Sequence, residues 1–161
     1  MSRSGLQYLE TTQEDVFGNT VDIPSALDRR TEQVFLAGGA IAQGDWVALD
    51  FSAADSTRAI TVVQAATAAT GNPLVVGVAI EAAAAAGDKV KVVTRGYVEG
   101  AAVVGGTAGG TALVVDNSAA GRANAYDAAD LAPPCGVTLE TAAAGPAHTC
   151  DVYVFSNAYT G

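Results

Sequence analysis

His148 is the only histidine in the 161 residues, and it stands in "GPAHT" among Gly, Pro and Ala. Nucleophilic catalysis would need a positioned serine and a carboxylate beside it, and no "GxSxG" elbow occurs, so it reads as an exposed loop histidine. "GGTAGGT", Gly105 to Thr111, has the glycine content of a phosphate cradle. It lacks the lysine of "GxxxxGK[ST]", and the "TALVVD" that follows reads as a strand rather than a helix, which leaves a flexible turn. Asp45, Asp50, Asp55, Asp116, Asp127 and Asp130 could offer oxygens to calcium, but nothing matches the dense "DxDxDG" spacing of a loop site. Asp at strand ends is an ordinary turn former, because its carboxylate accepts from nearby backbone N–H groups. Cys135 and Cys150, fifteen positions apart, are too few for structural zinc with a single histidine. They read as small buried hydrophobes, with a disulfide open only if their strands are neighbours. The residues therefore point away from an enzyme, with no cofactor and no metal expected.

Charge narrows the partners. The formal net charge is −9, split −3 over residues 1–35, −1 over 36–96 and −5 over 97–161. Nucleic-acid binding rests on Lys and Arg contacts to phosphate, so nucleic acid is an unsuitable direct partner. The opening "MSRSGLQYLE" lacks the charged-then-apolar order of a secretory leader, and no uncharged apolar run approaches the roughly 18 residues of a membrane-spanning helix. The expectation is a chain made in the host cytoplasm and kept soluble, with no membrane partner.

The elements that would position any site are strands. From Val34 on, short apolar runs rich in β-branched residues alternate with Gly, Asp, Asn and Ser clusters. Nine such runs stand out: "QVFLA", "DWVALDF", "AITVVQA", "LVVGVAI", "KVKVVTRG", "TALVVD", "ANAYDA", "CGVTLE" and "CDVYVFS". In "KVKVVTRG", Lys89, Lys91 and Arg95 alternate with valines and read as the wet face of a sheet. The spacing predicts an all-β core, a small barrel or a sandwich. Residues 1–35 differ: they are polar and without a sustained period, and read as an extended N-terminal arm that orders against something else.

The core sequence repeats. "GDWVALDFSAADSTRA" from Gly44 aligns with "GTALVVDNSAAGRA" from Gly110, and "GVAIEAAAAAGDKVKVV" from Gly77 aligns with "GVTLETAAAGPAHTCDVYVF" from Gly136. Asp88 and Asp151 then open the closing strands. Two related β-modules follow, residues 36–98 and 99–161. The repeat also decides the alanine run after Glu81. Alanine is the best helix former, but the second segment holds Gly145 and Pro146, which cost about 1 and 3 kcal/mol inside a helix. A tight small-residue turn between strands suits both segments.

One pattern carries a resemblance. "G-x-I-x-x-GD-x-V-A-L-D", Gly39 to Asp50, followed by "VVGVAIEAAAAAGDKVKVVTRGYV", Val75 to Val98, resembles the capsid cement, or head decoration, proteins of tailed bacteriophages. In that family a "GD-x-V" strand opens the module, and a "GVA" strand, an "AAAGD" turn and a "V-x-V" strand ending in "G-x-V" close it. The resemblance implies a barrel or tulip-like fold and homotrimers on the outside of the virion at three-fold positions of the head. It implies the major capsid protein as partner and stabilisation of the expanded shell as the role. The arm, residues 1–35, is then expected to lie on the shell. Tyr8, Leu9, Phe17, Val21 and Ile23 would be its apolar anchors, and Arg29 and Arg30 would face shell carboxylates, with the acidic C-terminal module in solvent. "GDKVKV" also resembles the hairpins of lipoyl- and biotinyl-carrier barrels, but neither lysine sits in a tight turn beside Met. A different class of reading is a carbohydrate- or surface-binding β-module, which would need Trp46, Tyr126, Tyr153 and Tyr159 to gather on one face.

Overall fold

The computed structural model describes residues 12–14, 20–22, 30–66, 74–115, 119–127, 133–145 and 148–155. Two short strands, β1 (Thr12–Glu14) and β2 (Thr20–Asp22), pair antiparallel with Thr12 opposite Asp22. The rest is one nine-stranded sheet: β3 (Thr31–Ala37), β4 (Trp46–Leu49), β5 (Thr61–Gln64), β6 (Val75–Ala79), β7 (Lys89–Val103), β8 (Ala112–Val115), β9 (Ala123–Ala125), β10 (Gly136–Thr138) and β11 (His148–Phe155). All nine apolar runs became strands, as β-branched residues that pack on a pleated surface should. β3 begins at Thr31, so the sheet takes in the last residues of the stretch read from sequence as the arm.

The sheet closes on itself. β3 pairs β7 and β5, β5 pairs β4, β4 pairs β6, and β6 returns to β7, giving a five-stranded barrel. Closure leaves no continuous open edge. Alternation along β3, β4, β5 and β7 sends Phe35, Val47, Val62, Val90 and Val92 into the barrel's interior core, and the register shift in the β4–β6 pairing, which skips Val76, turns that residue inward as well. The opposite faces of β4, β6 and β7 carry Trp46, Val78 and Val93 into a second core with Val98, Leu113, Cys150 and Val154. Trp46 is fully buried there, and its indole N–H donates to the Ala102 carbonyl at 3.0 Å. A buried indole needs such a partner.

The four further strands, β8 to β11, lie outside the barrel on the C-terminal half of β7, and their register follows the barrel's own. Val47 pairs Gly77, and Leu113 pairs Gly136; Trp46 pairs Val78, and Ala112 pairs Val137. Leu49 pairs Val62, and Val115 pairs Ala123. Phe35 pairs Val90, and Ala101 pairs Cys150. The single parallel contact recurs too, Ala37 with Val62 and Val103 with Ala123. Loop bonds agree: Gly44 N donates to Ala79 O and Gly110 N to Thr138 O, while Ile80 N donates to Lys91 O and Leu139 N to Asp151 O. This register sets Lys91, not Asp88, against Asp151, which moves the sequence alignment of the closing strands by three residues.

The alanine run is a turn. Ile41 and Ala83 exchange backbone hydrogen bonds at 2.9 Å, and the Asp88 carboxylate accepts from Ala84 N and Ala85 N at 3.0 and 2.9 Å. Gly87, at φ +89°, turns the chain into β7. Ala83 is buried, and so is Ala142 at the corresponding place, where its N–H donates to Thr107 O. Ala82, Ala84, Ala85 and Ala86 are exposed, as are Ala143 and Ala144, so a small buried side chain is required at one place in each turn. Pro146 lies outside the described residues.

Candidate functional site

The groups that could have done chemistry are occupied with structure. His148 is not in a loop: it is the first residue of β11, opposite Val103, and its imidazole lies against Gly145. The glycine loop is packed rather than free. Gly106 N donates to Ala142 O and Ala143 O, Gly109 N to Thr141 Oγ1, and Gly110 N to Thr138 O, so these amides are not left for a phosphate. A Cβ on Gly105 would stand 2.1 Å from the Gly145 carbonyl, which explains why the loop opens with glycine.

Of the candidate acidic residues, Asp45, Asp50 and Asp55 are engaged locally, while Asp116 and Asp130 lie outside the described residues. The buried Asp45 carboxylate accepts from Ala42 N at 2.8 Å and from the Gln64 amide at 2.6 Å. Asp50 accepts from both the hydroxyl and the backbone N–H of Ser52, and the hydroxyl bond above all holds its carboxyl below the ordinary range. Asp55 pairs with Arg58 at 2.9 Å. Among the described residues, no three His, Cys, Asp or Glu side chains gather around one point.

The two cysteines cannot bridge. Phe155 N donates to Cys135 O, while Cys150 is five residues back along β11 opposite Ala101. Five residues of strand span roughly 16 Å, against about 4.4–6.8 Å between the Cα atoms of a disulfide. Both thiols are buried and free, and burial pushes Cys135 up to about 12 and Cys150 up to about 11. They behave as the small hydrophobes expected.

One titrating pair has a measurable consequence. The Tyr97 hydroxyl donates to Asp151 Oδ2 at 2.6 Å. That bond, with desolvation and nearby carboxylates, raises the phenol from 10.0 to about 12. Its folded value exceeds its unfolded one, so its contribution is complete below pH 10 and is lost between pH 10 and about 12. Tyr97→Phe should therefore lower stability by about 1 kcal/mol at neutral pH. Denaturant midpoints measured across this alkaline window should then decline less steeply in the variant than in the parent.

One concave feature among the described residues is the barrel mouth, a hollow of about 420 Å³ at the N-terminal end of β3. Phe35, Leu49 and Val76 line its apolar part, and Thr31, Gln33 and Thr94 its polar part. On β3 the same face runs Ala37, Phe35, Gln33, Thr31, so the interior column turns from apolar to polar toward this end. That change was visible in "TEQVFLA", although no sequence motif singled it out. Arg95 and the β11 residues Tyr153 and Phe155 complete the rim. Arg30, Arg58 and Lys91 each have a carboxylate within 4 Å, whereas Arg95 has none among the described residues.

The residues expected on the arm fall differently. Tyr8, Leu9, Phe17, Ile23 and Arg29 lie outside the described residues, and Val21 is the middle residue of β2, opposite Gln13. Arg30, the residue before β3, lines a separate hollow with Gln43, Ile80 and Glu99 and donates from Nε to Glu32 Oε1 at 2.6 Å. Among the described residues the aromatics do not form one surface: Trp46 is core, Tyr126 is exposed at the end of β9, and Tyr153 borders the mouth, while Tyr159 lies outside the described residues.

No family model matches the chain, and no curated protein does. Among solved structures, the chain is similar to the N base of the head fiber gp8.5 of bacteriophage phi29, with a TM-score of 0.48 and 20% identity over 80% of this chain and 95% of that one.

Proposed function

We propose that this chain is a structural protein of a tailed-phage virion, a cement protein that binds the outside of the head and stabilises the expanded shell. The observation that carries this reading is the fit between the cement-type pattern and the barrel. Gly39 to Val98 supplies four of the five barrel strands, and apart from Gly39 its glycines, with Asp45 and Asp88, have a backbone reason. Gly44, Gly87 and Gly96 hold φ of +89°, +89° and +111°. Asp45 and Asp88 close turns, and Gly77 lies against the β7 backbone. The pattern is thus a fold pattern, kept whole here, on a protein whose polar groups serve its own turns.

The same reading takes the chain as two related β-modules that share β7 as last strand of one and first strand of the other. Matching register supports duplication, since independent strands have no reason to repeat five pairings and their loop bonds. Homotrimers at three-fold positions, with the major capsid protein as partner, complete the proposal. Residues preceding β3 would contact the shell through Tyr8, Leu9, Phe17, Val21, Ile23 and Arg29, and Arg30 would exchange Glu32 for a shell carboxylate. An arm that orders on binding covers much surface at modest affinity, and many copies add up on one particle. Deleting residues 2–30 should abolish co-sedimentation with expanded heads while leaving the β-core folded, as a cooperative thermal melt would record. Undiminished binding of the deleted protein would remove the arm from the proposal.

A further inference from the structure

Among the described residues six large apolar side chains are exposed, and five of them, Val34, Ile60, Tyr126, Leu139 and Tyr153, repeat the places where the two modules meet. On the outer face of the first module Ala65, Trp46, Val78 and Val93 form one row across neighbouring strands. Ala65 N donates to Trp46 O, and Trp46–Val78 and Val78–Val93 are register pairs. All four are fully buried in the core shared with the second module, and Ile80 packs against it. The register-matched row on the second module is Tyr126, Ala112, Val137 and Tyr153. Tyr126 N donates to Ala112 O, and Ala112–Val137 and Val137–Tyr153 are pairs. Leu139 stands where Ile80 does, donating to Asp151 O as Ile80 N donates to Lys91 O. This second face is open: Leu139 is 51% exposed, and Tyr126 and Tyr153 are exposed at the two ends of the row.

The receiving side repeats as well. Residues Gly44 to Trp46 sit between β7 and β9: Ala102 N donates to Gly44 O, Trp46 N to Gly121 O and Gly121 N to Ala65 O. The approach is close, because a Cβ on Gly44 would stand 2.6 Å from Gly100 O and one on Gly121 2.8 Å from the Asp45 carboxylate. Gly100 precedes Ala101 as Val34 precedes Phe35, and Gly121 lies two residues before Ala123 as Ile60 does before Val62. Val34, 60% exposed, and the exposed Ile60 thus flank the corresponding seam between β3 and β5. Sizes are complementary: the open row has Ala112 where the buried one has Trp46, and the open seam has Val34 and Ile60 where the filled one has glycines. Water over such side chains is unfavourable, and clusters of them mark association sites. A face on one module and a seam on the other are the two halves of a heterologous contact, which can close into a ring.

We propose that copies of this chain join head to tail, the open row of one second module, with Leu139, packing on Val34 and Ile60 of the next copy's first module, and that the ring closes at three. The contact presupposes the homotrimer of the cement reading but not head binding.

The test is the mass of the full chain in solution, by light scattering. The parent should be a trimer. Tyr126→Glu with Leu139→Glu should be a monomer, and so should Val34→Glu with Ile60→Glu, whereas Phe51→Glu, at the sixth exposed site, should stay trimeric. All of these side chains are exposed, so each variant should keep a cooperative melt near the parent's. An equimolar mixture of the two double variants retains one intact row and one intact seam, and should form a heterodimer. Double variants that stay trimeric would overturn this contact and leave the homotrimer standing. Monomeric variants that fail to pair in the mixture would overturn the head-to-tail arrangement. A monomeric parent would overturn the homotrimer itself, and this contact with it.

Discussion

Trp46→Ala is expected to cost about 3–5 kcal/mol, the range for deleting a fully buried large aromatic. Trp46 is 0% exposed and is the largest fully buried side chain among the described residues. It leaves the outer face of β4 and enters the core shared with β7, β8, β10 and β11, touching the position where Gly136 lacks a Cβ. Its loss opens a cavity between the barrel and the outer strands and leaves the Ala102 carbonyl without the indole. For a chain of this length the melting temperature should fall by roughly 6–20 °C. Phe51→Ala, at a residue 55% exposed, should change stability by no more than about 0.5 kcal/mol. Thermal melts of the two variants compare the effects directly, and a loss at Trp46 no larger than at Phe51 would contradict this packing.

Gly77→Ala should be at least as damaging. A Cβ there would stand 2.0 Å from the Val93 carbonyl oxygen and 2.8 Å from its carbon, and both belong to backbone. No rotamer change can clear that contact, so β6 must move from β7 in a barrel where β6 is also bound to β4. Overpacking usually costs about 1–3 kcal/mol, and an obstacle made of backbone puts this site at or above the upper end. At the register-matched Gly136 the nearest obstacle is the Trp46 ring at 2.7 Å. Gly136→Ala should accordingly be milder, and milder again when combined with Trp46→Phe, as a double-mutant cycle would record. Gly39→Ala, with nothing within 4 Å of the added carbon, is the control. Equal stability of Gly77→Ala and Gly39→Ala would refute the close approach of β6 and β7.

Much of this architecture was legible in the residues. Short β-branched runs bounded by Gly and Asp signalled strands, and "GV-x-[IL]-E" at Gly77 and Gly136 marked equivalent turns before any pairing was known. Glu81 and Glu140 reach equivalent partners: Glu81 pairs with Lys91 at 3.0 Å, and Glu140 accepts from Asp151 N at 3.1 Å. What stayed hidden depends on long-range geometry. β7 runs straight through "RGYVEGAAV" to Val103, because Gly96 and Gly100 at positive φ let it bend between two cores, whereas glycines usually signal a strand's end. His148 looked like a loop residue because its neighbours are Gly, Pro and Ala, yet pairing with Val103 draws it into β11. Strand closure also explains the mouth. No local pattern announces a hollow assembled from β3, β4, β6, β7 and β11.

The most direct measurement is imaging of expanded, undecorated heads after incubation with the purified chain, alongside its size in solution. The cement reading predicts a trimeric particle and added density on the outer surface at the three-fold positions, with heads that withstand heating better than bare ones. A monomer that leaves the shell bare and its heat resistance unchanged would contradict it.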